Sequence, residues 1–190
     1  MLEHERIEIE RDIFQILAGI VVITVLAWLG LELGSLAIAV LVLLGFMTVA
    51  IARNSKSAGP LRFLYRLERK NRGFGSGAIW LGIGVLLYLL FVHSEPYLLM
   101  LLFATMISDS LATISGITLK GPLLPYSRRK TIVGSAFYFT SMLAFGYFAV
   151  GVVAIVFSLL ATFVESLDIK IDDNLLVPVA LIALFLIVAR

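Results

Sequence analysis

The sequence has no cysteine and few charged residues: only 15% of its 190 residues are Asp, Glu, Lys or Arg, whereas 61% are hydrophobic. The lack of cysteine excludes disulfides, thiolate metal sites and a cysteine nucleophile. The first 12 residues include five acids, so the start lacks the basic region of a signal peptide. A soluble domain of this length cannot bury so much apolar surface. The sequence therefore predicts an integral membrane protein of the all-α class.

Nearly uncharged stretches recur along the chain, each close to the length needed to cross ~30 Å of hydrocarbon. We predict about seven transmembrane helices, at residues 13–29, 35–52, 77–92, 97–111, 134–148, 152–164 and 175–189. Residues 133–166 would form a single helix about 50 Å long, which exceeds the membrane. A tight reversal is therefore expected at 146–151.

The basic residues set the orientation. With the N-terminus in the cytosol, 14 of the 15 Lys and Arg residues lie on the inner side and only Arg190 lies outside, as the positive-inside rule requires. We predict a short cytosolic segment over 1–12 and a single transmembrane catalytic domain over 13–190. The inner connections 53–76, 117–133 and 165–174 then share one face, where a water-soluble anionic cosubstrate and a lipid can meet.

An acid within the fourth predicted span is the first candidate functional residue. Asp109 shares a helix face with small and polar residues at the spacing of one helical stripe: Thr105, Ser108, Ala112, Thr113 and Gly116. Acids at membrane depth are costly and usually face a bundle interior or a wet cavity. The stripe favours a functional groove, and the alternative is a Ser/Thr packing face with one acid near its end.

The sixth predicted span repeats this pattern. Ser158, Ala161, Thr162 and Glu165 share a face, and Asp172, Asp173 and Asn174 follow shortly after. Asp and Asn are good helix N-caps, and Pro178 lies near the start of the next span. Capping explains one of these acids and leaves the other, together with Glu165, to be explained.

A basic loop precedes the fifth span. Arg128, Arg129 and Lys130 come directly before Thr131, Gly134 and Ser135. Cations beside a helix N-terminus can hold a phosphate, although Arg-Arg-Lys next to a span is also a common topology signal. Together with the carboxylates above, they provide both halves of a Mg²⁺–nucleotide site, because Mg²⁺ binds a few carboxylates and phosphate oxygens.

These motifs, in this order, resemble the signature of the CTP-dependent polyprenol kinases, which include dolichol kinase, phytol kinase and the CTP-using diacylglycerol kinase of fungi. The resemblance covers roughly residues 68–178 and rests on Ser108-Asp109-Ser110-Leu111-Ala112, Gly116, Lys130-Thr131, Gly134-Ser135, Glu165, Asp172-Asp173-Asn174 and Val177-Pro178, with Glu68-Arg69-Lys70 and the glycines Gly73, Gly75 and Gly77 upstream. The sequence departs from the family at Ser108, where Gly is usual, and at Val133, where Glu is usual.

The resemblance implies transfer of the γ-phosphate of CTP to the hydroxyl of an isoprenoid alcohol or diacylglycerol, with Mg²⁺ as cofactor. It implies that Asp109, Lys130 and Glu165 are catalytic and that Asp109, Glu165, Asp172 and Asp173 bind the metal. It also implies that the nucleotide is bound by Arg128, Arg129, Thr131, Gly134, Ser135 and Asn174. The preference for CTP over ATP comes from the resemblance alone.

Two other functions stay open. A cytidylyltransferase that makes a CDP-lipid has a related signature, but it normally carries an additional His-Gly-Gly segment, and His4 and His93 lie in other contexts. A transporter or scaffold would use the buried acids for proton relay or helix association, although no internal repeat is present. The expected partners are a nucleoside triphosphate, a membrane lipid alcohol and the bilayer, with a homo-oligomer left open. Nucleic acid is not expected, because the basic residues lie at the membrane edge.

Overall fold

The computed structural model describes residues 3–54, 75–169 and 171–188. These residues form α-helices, a π-helical segment and a 3₁₀ turn, and the all-α prediction is confirmed for them. In chain order the elements are α1 (Glu3–Asn54), α2 (Ser76–Phe91), α3 (Glu95–Phe103), the π segment (Ala104–Ser108), α4 (Asp109–Leu119), α5 (Ile132–Val150), the 3₁₀ turn (Gly151–Val153), α6 (Ala154–Ser166) and α7 (Asp173–Val188).

Three helical stretches are long and apolar enough to cross a membrane: Glu3–Arg53, Glu95–Leu119 and Ile132–Ser166. Helices α2 and α7 are apolar but shorter. Many large apolar side chains point outward, and Trp28 and Phe148 are 86% and 91% exposed. Exposed apolar surface on this scale indicates contact with lipid. The protein is therefore a membrane protein, and the number of seven crossings stays a prediction.

Helix α1 is broken at Gly30, whose φ of 72° is a conformation that favours glycine. A Cβ on Gly34 would lie 2.9 Å from the Cα of Leu26, whereas residues eight apart in a straight helix are about 12 Å apart. The chain therefore doubles back at Gly30. We call residues 3–29 the first arm of α1 and residues 31–54 the second arm.

A second reversal lies at Gly151, which follows the end of α5 and has a φ of 70°. A Cβ on Gly146 would lie 3.0 Å from the Cβ of Ala154, so α6 folds back against α5. The predicted reversal at 146–151 is therefore present.

The π segment lies directly before Asp109. The Asp109 N–H bonds to the carbonyl of Ala104, five residues earlier. The amide of Gln15 donates to the Thr105 carbonyl at 3.2 Å, and the Tyr88 hydroxyl lies 2.9 Å from that of Thr105. Contacts from the first arm of α1 and from α2 thus stabilise this wider turn, a feature often found at functional sites.

Helices α4 and α5 pack closely through glycines. A Cβ on Gly134 would lie 2.8 Å from the Ala112 carbonyl oxygen, and one on Gly116 would lie 2.8 Å from Oγ1 of Thr131. Helix α3 also packs on α5, where the rings of Phe103 and Phe145 stack with centroids 4.2 Å apart. This packing sets the start of α5 beside the segment that carries Asp109.

Candidate functional site

The connection between α4 and α5 is a tight loop that presents Lys130. The Leu124 N–H donates to the Lys130 carbonyl at 2.9 Å, and the Ile132 N–H donates to the Pro122 carbonyl at 2.9 Å. The hydroxyl of Ser127, which is buried, accepts from the Lys130 N–H at 3.1 Å. These bonds fix the backbone on both sides of the lysine.

The side chain of Lys130 joins three separate segments of the chain. Its Nζ donates to Oε1 of Glu165 on α6 and, at 2.9 Å, to Oδ2 of Asp173 on α7. The Lys130 and Glu165 side chains are 20% and 3% exposed. The sequence predicted that cations and carboxylates from distant segments meet, and these three residues do so. We call Lys130, Glu165 and Asp173 the lysine clamp.

Carboxylates dominate the electrostatics of the lysine. Burial acts to lower the pKa of Lys130, but the charges of Glu165, Asp109 and Asp173 outweigh it and raise that pKa above its ordinary value. Lys130 is therefore a permanent cation at neutral pH.

Asp172 and Asp173 have different roles. Asp172 caps α7: its Oδ1 accepts from the Asn174 N–H at 3.2 Å, and its carbonyl accepts from the N–H groups of Leu175 and Leu176. Asp173, the first residue of α7, binds Lys130 instead. Capping thus explains one acid, as expected, and the second belongs to the lysine clamp.

The polar stripe around Asp109 is divided by the π segment. Thr105 and Ser108 are 2% and 0% exposed, and Ala112 and Gly116 pack on α5. Asp109 and Thr113 instead line a cavity. The wider turn rotates Thr105 and Ser108 relative to the residues from Asp109 onward, so members of the stripe have different neighbours.

This cavity has a volume of about 410 Å³ and lies between both arms of α1, α2, the Asp109 region and the start of α7. Polar groups line one part of it: Arg11, Gln15, Asp109, Lys130, Asp172, Asp173 and Asn174. Apolar side chains and glycines line the rest: Phe14, Ala18, Val22, Val42, Gly45, Phe46, Val49, Gly75, Gly77, Ala78, Leu81, Gly82, Val85 and Met106, with Ser76 among them. Its size is in the usual range for small-molecule sites, ~300–1,000 Å³.

The two arginines of the basic loop are not among the described residues that line the cavity. The guanidinium of Arg129 binds Asp168, with Nη2 at 2.7 Å from Oδ1, and this hydrogen bond lowers the pKa of the Asp168 carboxyl. Arg128 is exposed. Of the three basic residues in this loop, Lys130 lines the cavity and the two arginines do not, among the residues that the structure describes.

Three further predicted nucleotide-binding residues begin α5. The Thr131 hydroxyl caps the helix by accepting from the Gly134 N–H at 3.0 Å, and Gly134 packs on Ala112. The Ser135 hydroxyl is buried and has no hydrogen-bond partner among the described residues. These residues hold α5 against α4 and so position Lys130. Val133, where the family has Glu, lies against Gly121, whose added Cβ would be in contact with the Val133 side chain.

Arg11 and Gln15 line the cavity, although neither residue was predicted to belong to the site. Residues 1–12 were predicted to be a cytosolic lead-in, and residues from Glu3 onward are helical and form the start of the first arm of α1. Arg11 binds Asp12, whose side chain is 4% exposed. The adjacent Arg11 and Asp12, directly before the apolar run that starts at Ile13, are a sequence signal that could have identified this region.

Metal binding was predicted for Asp109, Glu165, Asp172 and Asp173. Over residues 3–54, 75–169 and 171–188, no group of three His, Asp or Glu side chains forms a metal-binding cluster. Asp109, Asp172 and Asp173 line the same cavity, whereas Glu165 holds Lys130. Since Mg²⁺ in nucleotide sites usually takes one or two carboxylates plus phosphate oxygens and water, this donor set fits Mg²⁺.

Some residues named in the sequence analysis lie outside the described residues: Glu68, Arg69, Lys70, Gly73, Lys170 and Arg190.

No protein-family model and no solved structure matches the chain. It is 33% identical over 117 residues to an uncharacterized protein of Methanocaldococcus jannaschii. The match covers 60% of this chain and 60% of that protein.

Proposed function

We propose that the protein is a multi-pass membrane lipid kinase that transfers the γ-phosphate of CTP to the hydroxyl of a lipid alcohol of the isoprenoid or diacylglycerol type. In this proposal the chain crosses the bilayer seven times and the site faces the cytosol. The observation that carries the proposal is a single cavity in which Lys130, Asp109 and Asp173 occupy one end and aliphatic and aromatic side chains form the remaining wall.

The apolar wall suits a lipid tail. It is built from the facing arms of α1 and from α2, where Gly82 lies so close to Phe46 that its added Cβ would contact the ring. A lipid alcohol placed there would bury its chain and bring its hydroxyl to the polar end. A soluble metabolite would gain little from such a wall, because burial of apolar surface drives binding only for an apolar ligand.

The charges at the polar end call for a divalent cation. The described lining residues comprise two cations, Arg11 and Lys130, and three carboxylates, Asp109, Asp172 and Asp173. A bare triphosphate would meet a net negative charge, whereas Mg²⁺ neutralises phosphate oxygens and carboxylates together. We assign metal binding to Asp109 and Asp173, with Asp172 and Asn174 beside them, and assign Glu165 to the positioning of Lys130.

The proposed reaction is a direct phosphoryl transfer. The lipid hydroxyl oxygen forms a bond to the γ-phosphorus of CTP while the bond from that phosphorus to the β–γ bridging oxygen breaks. The electron pair leaves with CDP, and the hydroxyl proton passes to Asp109 as base. Lys130 neutralises charge on the phosphates, and positioning of this kind is most of what phosphoryl transfer needs.

One observation favours the transporter or scaffold as a second candidate. Oε2 of Glu165 and the hydroxyls of Ser108, Tyr138 and Ser158 are buried without a hydrogen-bond partner among the described residues. Acids and hydroxyls inside a membrane bundle are typical of proton pathways. A cytidylyltransferase has no such observation in its favour.

The test is transfer of labelled γ-phosphate from CTP, with ATP as comparison, to a panel of polyprenol, phytol, geranylgeraniol and diacylglycerol. Asp109→Asn is expected to abolish transfer, because it removes both the base and a metal ligand. Asp168→Asn is the matched control, since Asp168 is exposed and binds Arg129 outside the cavity. Mg²⁺-CTP should also raise the thermal midpoint of the purified protein.

Full transfer by Asp109→Asn would reject the site assignment. No transfer to any alcohol, together with no stabilisation by Mg²⁺-CTP, would reject the kinase and favour the transporter or scaffold.

A further inference from the structure

The first arm of α1 places a guanidinium in the cavity, at the boundary between its polar and apolar parts. Arg11 lines the cavity next to Phe14 and Gln15, one helical turn before the apolar wall begins. Asp109 lies within electrostatic range of both Arg11 and Lys130. Arg11 therefore belongs to the same charged site as the lysine clamp, on a different element.

A buried carboxylate holds this arginine. Nε and Nη2 of Arg11 both donate to Oδ1 of Asp12, at 3.1 and 2.9 Å. The Arg11 side chain is 28% exposed and that of Asp12 is 4% exposed. A guanidinium has five N–H donors in a fixed plane, and the pairing with Asp12 uses two of them.

Among the residues that the structure describes, Arg11 is the arginine that lines the cavity. Arg129 is bound to Asp168 and Arg128 is exposed. Lys130 is held by two carboxylates, next to the start of α7. The polar end thus has an ammonium on the α7 side and a guanidinium on the side where the apolar wall starts.

We propose that Arg11 forms a binding subsite for the phosphate monoester of a long-chain lipid, with Asp12 as its positioning residue. The planar guanidinium matches the paired oxygens of a phosphate, and its place beside the apolar wall suits a phosphate attached to a buried tail. The inference rests on the proposed function, in which this monoester is the product. It adds that Arg11 contacts the phosphoryl group once this group is attached to the lipid.

The experiment measures binding without turnover. The thermal midpoint of the purified full chain is recorded with a prenyl monophosphate, with the prenyl alcohol of the same length, and with inorganic phosphate. The monophosphate is expected to stabilise the wild type more than either of the others. Arg11→Lys keeps the positive charge but removes the planar pair of N–H donors. It should weaken monophosphate binding about tenfold, the typical scale of a charge-assisted hydrogen bond.

The matched control is Arg129→Lys, the same chemical change at a guanidinium that binds Asp168 outside the cavity, and it should leave monophosphate binding unchanged. Asp12→Asn, which keeps Arg11 but weakens its support, should fall between Arg11→Lys and the wild type. Equal stabilisation by monophosphate and alcohol, or by monophosphate and inorganic phosphate, would overturn the proposal. So would monophosphate binding by Arg11→Lys at the wild-type level.

These outcomes are distinguishable from failure of the kinase itself. A protein that binds the monophosphate through Arg11 but transfers no phosphate from CTP would retain the subsite and lose the proposed reaction.

Discussion

Lys130 shows how one side chain can carry both the packing and the chemistry of a site. It neutralises Glu165, which is almost fully buried on α6, and it reaches Asp173 at the start of α7. A buried carboxylate without its cation is strongly unfavourable. The lysine therefore stabilises the assembly of three segments of the chain.

Lys130→Met is expected to destabilise the fold by about 3–5 kcal/mol, the typical cost of removing one partner of a buried ion pair. The double variant Lys130→Met with Glu165→Gln should recover part of that loss, since the remaining buried group is then neutral. The thermal midpoint measured in detergent checks both. A single variant as stable as the wild type would show that the clamp contributes nothing to folding.

The difference in stability between the wild type and the double variant Lys130→Met with Glu165→Gln should not change between about pH 7 and pH 9, because neither substituted side chain titrates. The pKa of Lys130 is raised in the fold, so its stabilising contribution is complete below the ordinary lysine pKa of 10.5 and is lost only as pH rises through the higher folded value. The difference in thermal midpoint between wild type and double variant, measured across that range, checks this. A difference that shrinks toward pH 9 would contradict the raised pKa.

At the scale of elements, the close approach of α4 and α5 decides how Asp109 and Lys130 are placed. Gly134 lies against the backbone of Ala112, which cannot move aside as a flexible side chain would. The two helices therefore have little freedom to separate without moving the acid relative to the lysine.

Gly134→Ala should therefore destabilise the protein by about 1–3 kcal/mol through overpacking, and should reduce transfer as well. Gly77→Ala is the matched control, because Gly77 also lies in the first turn of a helix and its added Cβ meets nothing within 4 Å. The control should keep or slightly raise the thermal midpoint, since alanine favours helix. If the two variants have the same thermal midpoint, the close contact between α4 and α5 does not contribute to the stability of the protein.

The sequence was sufficient to predict the helical class, the reversal at 146–151, and the meeting of Lys130 with Glu165 and Asp173. The first two follow from local patterns, namely apolar length and glycines. The third follows from the basic residues, which place the connections 117–133 and 165–174 on one face of the membrane. The π segment was not predictable, because its wider turn depends on Gln15, which lies 90 residues away in sequence from Thr105. The ion pair between Arg129 and Asp168 was not predictable either, because a run of basic residues does not show which of them will lie next to an acid.

For the whole molecule, the arrangement of helix ends decides whether one aqueous compartment can reach every part of the site. The clamp joins the connection before α5 to the end of α6 and the start of α7, so these ends lie together. The two arms of α1 meet at Gly30, and the end of α5 meets the start of α6 at Gly151. The end of α5 at Gly151 is opposite to the end that carries Lys130.

The absence of cysteine makes this arrangement directly measurable, because a single introduced cysteine has no background. In the seven-crossing arrangement, Arg128→Cys and Asp168→Cys should react with an impermeant reagent only from the cytosolic side. Glu32→Cys and His93→Cys should react only from the other side. All four positions are exposed. Labelling of positions 128 and 168 from opposite sides would be incompatible with the site.

The lysine clamp also has a consequence for biosynthesis. Its members leave the ribosome in the order Lys130, Glu165, Asp173, and the last of them belongs to α7. A nascent chain that has inserted everything up to α6 still lacks one of the two carboxylates that hold the lysine. The protein therefore completes its charged centre only when α7 docks.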